Sequence, residues 1–441
     1  VKENRNIYVG KTELVLKPNS TEQVSEILAL ANQTNTPIVP QGGHTGHVGG
    51  GVPDESGEQI IVSLERMNKI REIDTDGNTL TAEAGVILQT IQEAADGNDR
   101  LFPLSIGSQA SCMIGGNISS NAGGTGVLAY GNTRELVFGL EVVLPNGEIW
   151  NGLRKLKKDN TGYSLKNLFI GAEGTLGIVT AAVLKLFPKP KGVDVVWAGL
   201  DKPADALALL NLAQGMAGTA LTGFELIHRR PLEFVLRHIP DSRDPMAGKH
   251  EWYVLAEISS GRSAEDAKAL TEAIFTEAIE RGLAKDVVVA QSVGQRDAFW
   301  KLRETMPPAQ IPEGGSIKHD ISVPVHAIPE FLERAGEIVL EEVPDARICV
   351  FGHMGDGNLH YNISQPVGAD LKTYLKHRQP LNDKVHALVV EMNGSISAEH
   401  GIGKLKRESM AKIKNPVELK MMRDIKHALD PKGIMNPGKV I

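Results

Sequence analysis

At 441 residues the chain is too long for one hydrophobic core, so two or three domains are expected. Its 41% hydrophobic and 23% charged residues suit a globular protein, and a net charge of −7 with no long basic stretch argues against nucleic acid as the main partner. No window approaches the roughly eighteen apolar residues of a membrane helix. Two cysteines, Cys112 and Cys349, make no disulfide framework and fit a reducing compartment, so a cytoplasmic location is expected.

In chain order, the pattern predicts a strand from 14, a helix over 21–34 with its cap near Thr21, and a strand over 37–39. Strands follow at 60–62, 70–73 and 79–83, then a helix over 86–95 and strands over 137–143 and 148–150. A β run ends at Phe187. The glycines crowd into 42–51, 107–126 and 171–177. Pro188-Lys-Pro-Lys-Gly192 is a proline-broken joint, so a first domain is set at 1–189 and a second over 190–400, followed by a C-terminal helical segment, 401–441. Beyond the joint, strands at 193–200, 252–258 and 317–323 alternate with helices at 203–216, 264–281 and 328–342. This predicts an α+β domain with antiparallel sheet. The tail over 405–429 reads as one helix.

The densest chemistry lies in His353-Met-Gly-Asp-Gly-Asn-Leu-His360. β-like residues flank a Gly-Asp-Gly turn, so a hairpin brings both imidazoles to one end of a sheet. Glu399-His400 follows a short predicted strand over 394–398. Two imidazoles and a carboxylate suit a divalent metal with an open position, and His400 is then a candidate base. The plainer alternative is a set of loop histidines without a ligand.

Consecutive glycines at 41–51 and 115–124 present backbone N–H groups that can cradle phosphate, or simply serve tight turns. Neither a Gly-x-Gly-x-x-Gly between strand and helix nor a P-loop ending is present.

Six segments then carry a resemblance. They are Pro40-Gln-Gly-Gly-His-Thr-Gly, Gly115-Gly-Asn117 with Asn121-Ala-Gly-Gly, Gly171-Ala-Glu-Gly-Thr-Leu-Gly-Ile, Phe351 to His360, Ala398-Glu-His-Gly and Asn436-Pro-Gly-Lys. In this order the chain resembles the FAD-dependent D-2-hydroxy-acid dehydrogenases of the vanillyl-alcohol-oxidase-type superfamily. The resemblance implies a two-subdomain FAD-binding domain and an α+β cap domain for substrate. It implies that Pro40, Gly42, Gly43, His44, Thr45, Gly46 and Gly49 wrap the pyrophosphate. Pro103, Gly107, Ser111, Gly115, Gly116, Asn117, Ser120, Asn121, Gly123 and Gly124 would line ribose and ring, with Glu173, Gly177 and Ile178 further along and Asn436 closing over the flavin. Some relatives attach flavin covalently to a histidine placed like His44, and others do not.

The resemblance further implies a metal, zinc first and Mn²⁺ or Fe²⁺ next, on His353, His360 and Glu399, with His400 as base. Arg303, Lys318 and Asn362 would hold a small 2-hydroxy acid. D-2-hydroxyglutarate is the first expected substrate, because Arg303 and Lys318 supply more positive charge than one carboxylate needs. One departure favours a simpler acid such as D-lactate or glycolate: Pro307 stands where hydroxyglutarate-type members carry a hydroxyl, four residues after the arginine. Electrons would pass to an electron-transfer flavoprotein, a quinone or another acceptor. An oxidase, and a flavin-binding subunit without activity, are the competing readings. A homodimer, peripheral membrane association and, in a eukaryote, a mitochondrial location also follow from the resemblance.

Overall fold

In a computed structural model, which describes residues 1–3 and 7–441, the chain divides into two compact units. The first comprises Val1–Gly124, Tyr130–Lys189 and Glu399–Ile441; the second comprises Thr125–Ala129 and Pro190–Ala398.

In the first unit the helix Thr21–Thr34 begins because Ser20, one residue before the predicted cap, accepts the Gln23 N–H. It ends where Asn35 turns left-handed at φ 56°. Its stripe of Val24, Leu28 and Ala31 packs with Ile38, Val62 and Leu64, and with Ile434 and Met435 from the far end of the chain. Strands β1 (Val15–Leu16), β2 (Ile38–Gln41) and β3 (Ile60–Ser63) form a parallel sheet in the order β1-β3-β2. Strands β4 (Ile70–Asp74), β5 (Thr79–Glu83), β6 (Arg100–Leu101), β7 (Val137–Val143), β8 (Ile149–Gly152), β9 (Ile178–Lys185) and β10 (Phe187–Pro188) follow. Five of these make an antiparallel sheet, β4-β5-β9-β7-β8, and β6 pairs with β10. The polar joint after Phe187 therefore ends a real strand.

Two expectations for this unit change. The glycine run at 115–124 is not all loop, because Ile114–Ser120 is a helix that buries Ile114 and Ile118 and ends at left-handed Asn121. The tail is two helices, Arg407–Ile413 and Pro416–Leu429. Pro416 has no N–H to continue the first, and Asn415 accepts the Val417 N–H to start the second.

The second unit is built on one seven-stranded antiparallel sheet. Its strands are β11 (Gly192–Leu200), β12 (Leu221–His228), β13 (Trp252–Ser260), β14 (Asp286–Val289), β15 (Ser316–Ser322), β16 (Arg347–His353) and β17 (Asn358–Ser364), in the order β14-β11-β13-β12-β16-β17-β15. On one face Trp197, Leu255, Ile227, Phe351 and Cys349 are buried with Leu232, Val235, Phe299 and Leu302 of the helices Arg229–His238 and Val293–Glu304. Toward β15 that face turns polar. Glu225 stands opposite His353, His360 opposite Phe351 and Asp320, and Asn362 opposite Cys349 and Lys318. The predicted strand over 394–398 shrinks to a single bridge between Ser395 and Ser322. The Gly394 N–H is used on Val389 O, finishing the preceding helix, and the Ser395 hydroxyl bonds its own chain at Ser397, which curls the segment.

Candidate active site

The first unit holds an open cleft between its glycine-rich segments. Its wall is mostly backbone. Pro40, Gly42 to Gly46, Gly49, Gly115 to Asn117, Ser120, Glu173, Gly177, Ile178 and His400 are among the residues that line it. The glycines serve two ends. A side chain at Gly43 would run into the Ser111 carbonyl at 2.2 Å, so there the chain packs on itself; at Gly46 and Gly116 a Cβ would meet nothing within 4 Å. Those two keep the cleft wall bare, which is what close approach to a dinucleotide requires. The residues present thus fit FAD.

Of the expected cofactor residues, Pro103, Gly107, Ser111, Asn121, Gly123, Gly124 and Asn436 are outside the lining. Gly124 is needed because a Cβ would stand 2.1 Å from Ser105 O, and Asn121 caps its helix and accepts the Arg134 N–H at 2.9 Å. Asn436 is buried behind the wall, where its amide donates to Gly50 O at 3.0 Å and Glu173 O at 2.8 Å. His44, left-handed at φ 56°, has both ring nitrogens engaged. Gln41 Nε2 donates to Nδ1 at 3.1 Å, which leaves the proton on Nε2 to be donated to Lys2 O at 2.6 Å.

Glu173 shapes the loop after His400. Its two carboxylate oxygens accept the N–H groups of Ile402 at 2.7 Å and Gly403 at 2.8 Å. Burial pushes this carboxyl above its ordinary range; the two N–H groups and Lys406 pull it back only in part. His400 itself meets His47 edge to face, with ring centroids 5.0 Å apart.

In the second unit the polar face of the sheet gathers the other candidates. His353 and His360 have ring centroids 5.7 Å apart. Asn362 and Arg303 are buried, whereas Lys318 is exposed. Arg303 donates from Nε to Glu225 Oε2 at 2.6 Å, with its guanidinium 4.8 Å from the centre of the Phe351 ring. Glu225 Oε1 lies 2.5 Å from His353 Nδ1. Burial alone would raise the Glu225 carboxyl, but Arg303 and then His353 outweigh it and hold it at about 2. Sequence reasoning missed Glu225 altogether. The available signal was one acid inside an otherwise apolar run, Leu221-Thr-Gly-Phe-Glu-Leu-Ile227. Glu399 and His400 belong to the first unit.

The sheets of the two units, the glycine-lined cleft of the first and the family matches define an FAD-dependent oxidoreductase with the vanillyl-alcohol-oxidase-type fold. Residues 12–152 match the FAD binding domain family and residues 189–440 match the C-terminal domain of FAD linked oxidases; the chain belongs to the FAD-linked oxidases. A D-2-hydroxyglutarate–pyruvate transhydrogenase of Saccharomyces cerevisiae is 37% identical over 98% of this chain and 87% of its own. The mitochondrial D-2-hydroxyglutarate dehydrogenase of Arabidopsis thaliana is 37% identical over 98% and 76%, and a D-2-hydroxyglutarate dehydrogenase of Xanthomonas citri 37% over 96% and 88%. Among solved structures, an alkyldihydroxyacetonephosphate synthase superposes with a TM-score of 0.73 at 17% identity, covering 98% of this chain and 77% of that one. A p-cresol methylhydroxylase with substrate bound gives 0.71 at 17%, covering 97% and 88%; both share the fold.

Proposed function

We propose that the chain oxidises a D-2-hydroxy acid, D-2-hydroxyglutarate first, to the 2-oxo acid with FAD in the glycine-lined cleft. Likeness at 37% identity over nearly the whole chain to enzymes so named supports the substrate. The carrying observation in the chain itself is Arg303: it is buried, and its two terminal nitrogens make no hydrogen bond among the described residues. A buried guanidinium with donors to spare is suited to a carboxylate.

We assign His353, His360 and Glu399 to a divalent metal, zinc first; two neighbouring imidazoles and a carboxylate are a fitting donor set. When bound, FAD takes the hydride and the metal lowers the pKa of the substrate hydroxyl. His400 then accepts the hydroxyl proton, Arg303 orients the acid through its carboxylate, and Asn362 and Lys318 complete the polar lining. The expected surplus of buried positive charge is absent, since Glu225 balances Arg303 and Lys318 is exposed. A second carboxylate is therefore supported by the relatives rather than by charge. Pro307, exposed in the short helix Met306–Ala309, keeps D-lactate as the competing substrate.

The test is anaerobic. D-2-hydroxyglutarate should bleach the flavin band of the purified protein, with kcat/KM above that for D-lactate. No bleaching by either acid sinks the activity, and a reversed order sinks the substrate. Reoxidation of the bleached protein by a quinone analogue, an electron-transfer flavoprotein or a 2-oxo acid, against oxygen, identifies the acceptor and separates dehydrogenase from oxidase.

A further inference from the structure

We infer that Glu225 is a positioning residue that sets two groups at once: the guanidinium of Arg303 through one carboxylate oxygen, and the tautomer of His353 through the other. The inference deepens the proposed function and rests on it. Glu225 lies inside β12 with no exposed surface, directly across from His353 on β16. Arg303 reaches it from the helix Val293–Glu304.

The chemistry follows from what each atom can do. An ionised carboxylate only accepts hydrogen bonds, so the 2.5 Å contact requires the proton of His353 on Nδ1. Nε2 is then the nitrogen whose lone pair can ligate a metal, the usual partition in carboxylate-backed histidine sites. On the other oxygen, the bond from Arg303 Nε fixes the plane of the guanidinium, with Phe351 against its face, and leaves the terminal nitrogens for a substrate carboxylate.

An amide cannot replace this arrangement. In Glu225→Gln, an amide oxygen turned toward Arg303 puts the NH₂ against His353 Nδ1. That makes Nδ1 an acceptor and places the ring proton on Nε2, where ligation needs a lone pair. With the amide reversed, two donors face each other at Arg303 Nε, and the guanidinium must leave its place. One function is lost either way, although size and shape are conserved.

The experiment compares Glu225→Gln with the parent, both loaded with FAD. Zinc affinity is read by competition with a chromophoric chelator, and KM and kcat are measured with D-2-hydroxyglutarate. The expected result is an unchanged flavin content with either zinc affinity reduced about 10- to 100-fold or KM raised by a similar factor. Zinc affinity and KM both within twofold of the parent would overturn the inference. A second measurement needs no folded variant. In the metal-free parent at pH 8, labelled on histidine nitrogens, the His353 ring should carry its proton on Nδ1, and a neutral ring protonated on Nε2 overturns the inference. A parent that neither binds zinc nor is reduced by substrate would defeat the proposed function, while the tautomer would still decide the role of Glu225.

Discussion

A buried ion pair is tolerated only while both members are present. Removing one leaves a desolvated charge that costs about 3–5 kcal/mol. Glu225 and Arg303 form such a pair, so truncating Arg303 to Ala should lower stability as well as activity, and the two effects would be confused. Arg303→Lys is the cleaner change. One ammonium keeps the charge but cannot both hold Glu225 and grip a carboxylate with two parallel donors. We expect kcat/KM for D-2-hydroxyglutarate to fall roughly 100-fold, about 2.7 kcal/mol of transition-state binding, with the melting temperature little altered; unchanged kcat/KM would remove Arg303 from the substrate's path. At His44 both ring nitrogens are already hydrogen-bonded, to Gln41 and to Lys2. The flavin should therefore leave the acid-precipitated chain and appear in the supernatant, and yellow colour that stays with the pellet would mean a covalent bond. Arg303, His353 and His400 could be named from motifs because each sits in a run of distinctive neighbours. Glu225 could not, because its role arises only when β12 lies beside β16, and nothing in the local sequence announces that pairing.

At the scale of the element, the helices with strong apolar spacing, Thr21–Thr34 and Ile328–Glu342, were legible to their ends. Two of the misjudged segments share one cause: a polar side chain or a proline redirects the backbone against the pattern around it. Asn415 and Pro416 split the tail, and the Ser395 hydroxyl turns a β-like run into a bend. One such device is titratable. His228 closes β12 and caps the helix Arg229–His238, accepting the Arg230 N–H on Nδ1 at 3.2 Å, which demands an unprotonated ring nitrogen. Burial, assisted by the charge of Arg230, lowers its pKa to about 4. The unfolded chain binds this proton near pH 6.5 and the folded one does not, so the stabilisation is whole above about 6.5. It is lost as pH falls toward about 4, on the order of 3 kcal/mol. His228→Asn keeps an acceptor for the cap without a titrating group. Urea unfolding followed between pH 7 and 4 should be flatter for this variant than for the parent, and equal slopes would refute the assignment.

At the scale of the molecule, the proline-broken joint at Pro188 to Gly192 suggests a boundary in the sequence, and the two compact units exchange chain there, at Lys189 and Pro190. The sequence could not show that residues 125–129 join the second unit, because such an exchange depends on long-range packing; the return of the C-terminal tail to the first was implied only by the resemblance, through Asn436. The division has a functional readout. The FAD cleft lies in the first unit and His353 and His360 in the second, so a chelator should abolish turnover while leaving the flavin spectrum nearly unchanged. Full activity in a metal-free preparation would leave these histidines as direct substrate contacts.

The first unit also has a history in time. Ile38 in β2 bonds to Ile434 and Asn436, and the Asn436 amide holds Gly50, 386 residues earlier. At ordinary rates of synthesis that partner arrives on the order of 20–80 s after the glycine loop leaves the ribosome. All strands of the large antiparallel sheet are made in the interval. The second unit can therefore be complete while the flavin cradle still has an open seam along β2. Removing residues 430–441 should then yield a chain that keeps the buried tryptophan fluorescence of Trp197 and Trp252 yet retains no FAD. In a growing chain, flavin capture would follow the synthesis of Ile434 to Asn436, after every strand of the second unit has been made.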